Sequence, residues 1–364
     1  MHTTRTNTEV NNQQELENKK FFKRTHQLNT AIVFIFCFIF IFASTVVLGF
    51  MPDNISWYWL YLIIFATFTG SYITGWLVTF PLRIFMYKIC TKHEVLTQEF
   101  KPWVIDWLKV FVVNIVFSMP LLSVAAIICF NQKNHIYLSI FNFAILFIII
   151  TIVKRYLMVW FIHGFYILKS GSYYDYWNSI INKQNIQNYP IFIIPIEAKA
   201  KWANAFAFGF KNFGFIYSTD VLLNNLDERQ FSAILAHEAA HLEFNDVLFR
   251  FAFSFILLIL WLVVFSNIDY IPENYNLAGF IVIVLFFILL VYSSLIMAKN
   301  QEARADKYSV KLLSSPYYLI ESLDYLYDIN KMPKDPKNHG KFKIHPTLAE
   351  RKQAMIDYYE NHVR

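Results

Sequence analysis

The sequence predicts an α-helical polytopic membrane protein, with about six transmembrane helices and a small α+β domain. Hydrophobic residues make up 56% of the 364 residues and charged residues only 16%, and the mean hydropathy is +0.38. This composition is too apolar for an ordinary soluble enzyme. The apolar residues form runs of about 20, the length that a helix needs to span a bilayer. A His-Glu-x-x-His motif at residues 237–241 lies between the fourth and fifth runs.

The apolar runs predict the order of the transmembrane helices. Four spans precede the motif, near Leu28–Phe50, Trp57–Phe80 with a continuation to Tyr87, Leu108–Phe130, and Tyr137–Phe161 with an extension to about Leu168. Two more, Val247–Ser266 and Leu277–Ala298, are joined by the polar turn Asn267–Asn276. Each is about long enough to cross a bilayer. Together they predict a hairpin that returns the chain to the side from which it left.

These spans divide the chain into five parts. Residues 1–27 are predicted as a polar cytoplasmic segment, 28–168 as four transmembrane helices, 169–246 as a sheet with the motif helix, 247–298 as the hairpin, and 299–364 as a helical C-terminal part. Basic residues cluster before the first span, after the second and at the end of the fourth, which the positive-inside rule assigns to the cytoplasm. Both termini and the active site are therefore expected to be cytoplasmic, and a bacterial inner membrane fits this arrangement.

The same asymmetry accounts for the net charge of +6. Binding of nucleic acid would need a soluble basic patch interleaved with aromatic residues, and the sequence offers none. The lipid bilayer is an expected partner, and nucleic acid is not.

The spacing of the motif suits a metal site on a helix. His237 and His241 are four residues apart, so both can present a ring nitrogen to one ion. Glu238 can reach a metal-bound water as general base. Asn225 with Glu228 predicts a capping box at the start of this helix. The motif alone is short, and it also fits an ordinary helix with two solvated histidines.

A third ligand is expected from another helix. The positions that would continue a metzincin motif hold Phe244 and Val247, which excludes that class. Glu302 can complete a His₂Glu site, for which one zinc ion is the best fit. Asp306 lies four residues further on and can accept a hydrogen bond from the free ring nitrogen of a ligating histidine.

Three short strands are predicted before the motif, within Tyr189–Ile196, Trp202–Phe210 and Phe215–Ser218. A small sheet ahead of the metal helix is typical of zincin-type domains. The alternation in Asn204–Phe208 suits an edge strand that pairs with an extended substrate. It equally suits a half-buried strand that touches no ligand.

Four segments together resemble the integral-membrane zinc peptidases that include the CAAX prenyl proteases and the HtpX-type heat-shock proteases. They are HEAAH at 237–241, EARAD at 302–306, NAFAFG at 204–209, and His345-Pro346 with Arg351. The resemblance implies that His345, and with it Arg351, approaches the active site to bind the substrate carbonyl. It also implies that Asn204, Ala205 and Phe206 hold the substrate extended.

The expected function is a membrane-embedded, zinc-dependent endopeptidase that hydrolyses peptide bonds at the cytoplasmic membrane face in membrane-protein quality control. The expected partners are therefore protein or peptide substrates, including membrane proteins, as well as the bilayer. His237, His241 and Glu302 would hold one zinc ion per chain, Glu238 would act as general base, and His345 would donate to the oxyanion. Two alternatives remain: CAAX-type processing of prenylated proteins, and a regulatory protease-sensor of signalling. The short loops on the outer side disfavour the sensor. A non-enzymatic scaffold or transporter is disfavoured because the centre of the hairpin is essentially apolar.

Overall fold

The computed structural model describes residues 55–124, 163–250, 276–332 and 347–363, with residue 334 and shorter pieces within 17–43 and 252–260. The chain forms two compact units. One comprises residues 23–164 and 261–266, and the other comprises residues 1–22, 165–260 and 267–364. The second unit contains the His-Glu-x-x-His motif.

The described residues of the first unit are mainly helical. Residues 23–36 are helical and lie at the start of the first predicted span. Helix α1 is Trp57–Lys92, and helix α2, Phe100–Val113, continues through the π-helical turn Asn114–Ser118. Within the described residues, Trp57–Lys92 and Phe100–Val124 are long and apolar enough to cross a bilayer. The predicted span Tyr137–Phe161 lies outside them, so the expected total of six remains a prediction.

Two predicted boundaries differ from the structure. Helix α2 begins at Phe100 rather than at Leu108, because the aromatic side chains of its first turns pack on α1: Trp107 stacks on Trp76 with ring centroids 3.7 Å apart. The predicted extension of the fourth span to Leu168 is also wrong. Gly164 has φ +68, which breaks a helix, and the chain then enters a strand at Tyr166–Ile167.

A four-stranded sheet organises the second unit. Its strands are β1 (Tyr166–Ile167), β2 (Ile191–Ile194), β3 (Ala205–Phe208) and β4 (Phe215–Thr219), in the order β1-β2-β4-β3. The pair β2–β4 is parallel, and the other two pairs are antiparallel. The three predicted strands are confirmed: the first two have shorter limits, and the third is one residue longer than predicted. Strand β3 lies at one edge of the sheet.

In the described part of this unit, the helices with defined limits are α3 (Ser172–Gln184), α4 (Asp220–Asn225), α5 (Glu228–Glu243), α6 (Asn276–Leu313), α7 (Tyr317–Ile329) and α8 (Leu348–His362). A further helical segment begins at residue 246. The core lies between α5 and one face of the sheet. Ile193 and Ile216 from the strands meet Phe231 and Leu235 from α5, and all four are fully buried. Burial of each such side chain stabilises the fold by about 1.5–3 kcal/mol. This packing fixes the motif helix against the strands.

The start of α5 differs from the prediction. Asp227, not Asn225, is the N-cap residue: its side chain accepts a hydrogen bond from the Gln230 N–H at 2.7 Å, and the Gln230 side chain accepts one from the Asp227 N–H at 3.2 Å. Asn225 instead ends the short helix α4, and Leu226 is extended between the two helices. The predicted capping box was therefore placed two residues too early.

Candidate metal centre

Helix α5 carries both histidines on its buried side. His237 and His241 are 7% and 8% exposed, and their ring centroids lie 5.0 Å apart. This is the result of a four-residue spacing on a regular helix. Two adjacent buried imidazoles gain little from apolar packing, so the arrangement favours a shared ligand.

Glu302 reaches these histidines from α6. Its carboxylate oxygens lie 3.5 Å from Nε2 of His237 and 3.7 Å from Nε2 of His241. The three ligand atoms all lie within 4.8 Å of one another. A tetrahedral zinc site with bonds of about 2.0–2.1 Å places its ligands about 3.4 Å apart. The distances and the donor set therefore fit a zinc ion.

Asp306 and Arg351 support His237 from behind. Oδ1 of Asp306 lies 2.9 Å from Nδ1 of His237, although the ring N–H is not well aligned with it. The Arg351 guanidinium donates two hydrogen bonds to the same carboxylate, at 2.8 and 2.6 Å. Such a carboxylate fixes the tautomer and orientation of a ligating histidine, which leaves Nε2 free for the metal.

The contacts between His237, Asp306 and Arg351 stabilise the charged forms of these side chains. Burial would raise the pKa of Asp306, but Arg351 and His237 outweigh it and lower the pKa to about 2. Without a metal ion, burial would also lower the pKa of His237, but Asp306 and Glu302 outweigh it and raise the pKa to about 10. A metal ion at Nε2 would replace the proton that this nitrogen then carries. Asp306 thus stays ionised across the physiological range.

A second carboxylate, which the sequence analysis missed, supports His241. Oδ2 of Asp246 lies 2.8 Å from Nδ1 of His241, and the side chain of Asp246 is 1% exposed. Arg304 donates to the other oxygen of Asp246 and also stacks on Phe244, with its guanidinium carbon 4.2 Å from the ring centroid. Both histidines therefore present Nε2 to the metal position and Nδ1 to a carboxylate.

A break after α5 brings Asp246 to His241. The helix ends at Glu243, and Asn245 adopts the left-handed conformation with φ 54, which asparagine tolerates better than most residues. The Asn245 side chain also accepts a hydrogen bond from the Lys211 N–H at 2.9 Å. The chain then resumes as a helix at residue 246. In the sequence, the only sign of this contact is that an acidic residue, Asp246, lies five residues after His241.

Glu238 connects the motif helix with the edge strand. Its Oε2 accepts a hydrogen bond from the Ala207 N–H at 2.8 Å. In β3 this N–H points away from β4, so the carboxylate lies along the free edge where an extended peptide would add. Glu238 is therefore a candidate general base for a metal-bound water.

The structure thus brings together five of the predicted site residues, namely His237, Glu238, His241, Glu302 and Asp306. Arg351 has a different position from the one expected, because its guanidinium is buried against Asp306 instead of facing a substrate. His345 lies outside the described residues.

The three residues predicted to bind substrate lie on or beside β3. Asn204 pairs with Thr219 through its backbone, and its C=O accepts from the Thr219 N–H at 2.9 Å. The Phe206 ring packs on Tyr217, with centroids 5.0 Å apart. Ala205 lies between them, at a position whose backbone faces the free edge.

A helix with His-Glu-x-x-His, a glutamate from a second helix and a neighbouring edge strand together define a gluzincin-type metallopeptidase site. The chain belongs to peptidase family M48, whose model matches residues 176–358, half of the sequence. Peptidases of this family are zinc-dependent metalloproteases.

Similar proteins fall into two named groups. A "Protease HtpX homolog" of Methanothermobacter thermautotrophicus is 32% identical over 33% of this chain and 46% of its own length. Another, from Campylobacter hominis, is 28% identical over 49% of this chain and 66% of its own length. The chain thus matches less than two thirds of the length of either. "CAAX prenyl protease 1" of Saccharomyces cerevisiae is 23% identical over 78% of this chain and 69% of its own length.

A solved structure shares the fold. The crystal structure of S. mikatae Ste24p matches with a TM-score of 0.66 over 87% of this chain and 79% of its own, at 19% identity. At this identity the match concerns the fold alone.

Proposed function

We propose that this protein is a membrane-embedded, zinc-dependent endopeptidase that hydrolyses peptide bonds at the cytoplasmic membrane face in membrane-protein quality control. The observation that carries the proposal is the convergence of His237, His241 and Glu302 next to Glu238 at the free edge of β3. Membership of family M48 supports the same chemistry. The cytoplasmic face is supported by the distribution of basic residues around the apolar runs.

The roles of the residues follow from their positions. His237, His241 and Glu302 would hold zinc, which when bound activates water and polarises a carbonyl group. Glu238 accepts the proton from the attacking water and passes it to the leaving amine. The free edge of β3 holds the peptide extended, so that its scissile bond lies against Glu238. His345 remains the candidate donor to the oxyanion, where one such donor is typically worth about 3–4 kcal/mol.

The test compares the detergent-purified wild type with Glu238→Gln. Both proteins should contain one zinc ion per chain by elemental analysis, because Glu238 is not a ligand. Only the wild type should cleave casein, because the glutamine amide cannot accept the proton. Exposed Glu360→Gln is the matched control and should keep wild-type activity. A fully active Glu238→Gln protein would refute the assigned base, and absence of zinc from all three proteins would refute the metal site.

A second candidate is the processing of prenylated proteins. The relative named as a CAAX prenyl protease aligns over 78% of this chain, further than either HtpX homologue. Matched peptides with and without a prenyl group separate the two functions. Quality control requires cleavage of both peptides at similar rates, whereas prenyl-protein processing requires strong dependence on the lipid.

A further inference from the structure

Among the residues that the structure describes, no strand pairs with β3 on the side away from β4, and this side is called its free edge. The Thr219 N–H donates to the Asn204 C=O at 2.9 Å, so Asn204 points its backbone groups into the sheet. Backbone groups alternate in direction along an antiparallel strand. Those of Ala203, Ala205 and Ala207 therefore point outward. An added strand would have to pair with these three residues.

The edge is already occupied at Ala203. The side-chain amide of Asn330, at the end of α7, donates to the Ala203 C=O at 2.7 Å and accepts from the Ala203 N–H at 3.1 Å. A carboxamide offers one donor and one acceptor side by side, as a strand residue does. Asn330 thus satisfies both groups of Ala203, which is fully buried.

Pairing with an added strand is also restricted at the other end of the edge, near Ala207 and Phe208. The Ala207 N–H is bound to Glu238 at 2.8 Å. Strand β3 ends at Phe208, and Gly209 follows with φ +100, a position where a Cβ would lie 2.4 Å from the Phe213 carbonyl oxygen. The backbone therefore turns away from the edge. Between the two ends, over about 14 Å at 3.4 Å per residue, Ala205 is placed to form two hydrogen bonds with an added strand.

An extended peptide that adds antiparallel to β3 has a defined register. The residue opposite Ala205 makes both hydrogen bonds with it, and the residue two positions earlier lies opposite Ala207, beside Glu238. The residue two positions later would lie opposite Ala203, where Asn330 is already bound. Because Glu238 marks the scissile bond, the blocked end of the edge lies under the leaving part of the peptide.

We propose that Asn330 is a specificity-determining residue. Its carboxamide ends the substrate-binding edge at Ala203 and limits strand pairing of the leaving peptide to about two or three residues after the scissile bond. This proposal rests on the proposed peptidase function. A longer leaving segment must turn away from β3 at Asn330 and gains no further pairing.

The test measures kcat/KM for peptides that share one sequence before the scissile bond and have two, three, five or seven residues after it. The full-length, zinc-loaded wild type should reach a plateau at three residues. In Asn330→Ala, the N–H and C=O of Ala203 become available to the peptide. We expect a further rise of about fivefold for the five-residue leaving group, the worth of one net hydrogen bond. Asn361→Ala, which removes an exposed asparagine of α8, should match the wild type.

Cleavage of the peptide with two leaving residues is the internal control, since it should be equal in the wild type and Asn330→Ala. Asn330→Ser, whose shorter side chain cannot reach both groups of Ala203, should give the same gain and carries the test if the alanine variant does not fold. Identical length profiles in all proteins would overturn the role of Asn330 while leaving the peptidase intact. Failure of the wild type to cleave any peptide would instead overturn the proposed function.

Discussion

Each of the two histidines contacts an aspartate that is itself bound to an arginine, and this Asp–Arg pair is called the support of that histidine. The two supports differ in their exposure to solvent. His237 rests on Asp306 and Arg351, whose side chains are only 4% and 8% exposed. His241 rests on Asp246 and Arg304, and the Arg304 side chain is 44% exposed. Each support is a carboxylate held by an arginine. The support of His237 is buried, whereas the arginine in the support of His241 is partly exposed to solvent.

This difference has a physical consequence. An exposed arginine can exchange its partner for water at little cost, so its ion pair contributes little to stability. A buried arginine or carboxylate that loses its partner is left as an uncompensated charge. Changes to Asp306 or Arg351 should therefore lower both the stability of the fold and the affinity for metal. Changes to Asp246 or Arg304 should chiefly affect the orientation of the His241 ring.

Replacement of Arg351 should have the largest effect. Arg351→Met leaves Asp306 buried without its cation, and we expect a loss of about 3–5 kcal/mol in the free energy of unfolding. Denaturant titration of the metal-free protein measures this loss. Arg229→Met, at an exposed arginine of α5, is the control and should change stability little. A loss below 1 kcal/mol in Arg351→Met would mean that the buried pair is dispensable.

The two carboxylates should differ in their effect on zinc affinity. Asp306→Asn leaves the charge of Arg351 buried next to the site, so zinc affinity should fall by about 100-fold, whereas Asp246→Asn should cost about 10-fold because Arg304 can turn to solvent. Competition with a chelator of known affinity measures both. Asp357→Asn, at an exposed aspartate of α8, should bind zinc as the wild type does. The reverse order for the two site variants would contradict the comparison.

Replacement of Arg304 should have the smallest effect. Arg304→Met removes a partly exposed cation, and we expect a loss of about 1 kcal/mol or less in the free energy of unfolding. The same titration as for Arg351→Met makes the two values comparable. If both arginine variants lost equal stability, solvent exposure would not distinguish the two supports.

Much of the site could be predicted because its parts are local. The i, i+4 spacing of His237 and His241, and of Glu302 and Asp306, places each pair on one face of a helix whatever surrounds it. The same holds for the three strands before the motif, since strand character depends on neighbouring residues. In contrast, the predicted capping box chose Asn225 over Asp227. Both residue types cap helices, and only the path of the chain through Leu226 distinguishes them.

The sequence by itself determined the chemistry of the metal centre, because ligand types and helical periodicity are properties of short segments. The tertiary structure alone decided which charges meet: Asp246 with His241 across a left-handed turn at Asn245, and Arg351 with Asp306 between α8 and α6. It also decided that Asn330, 127 residues from Ala203, ends the free edge of β3. Such contacts depend on how distant elements pack, and no local pattern in the chain encodes them.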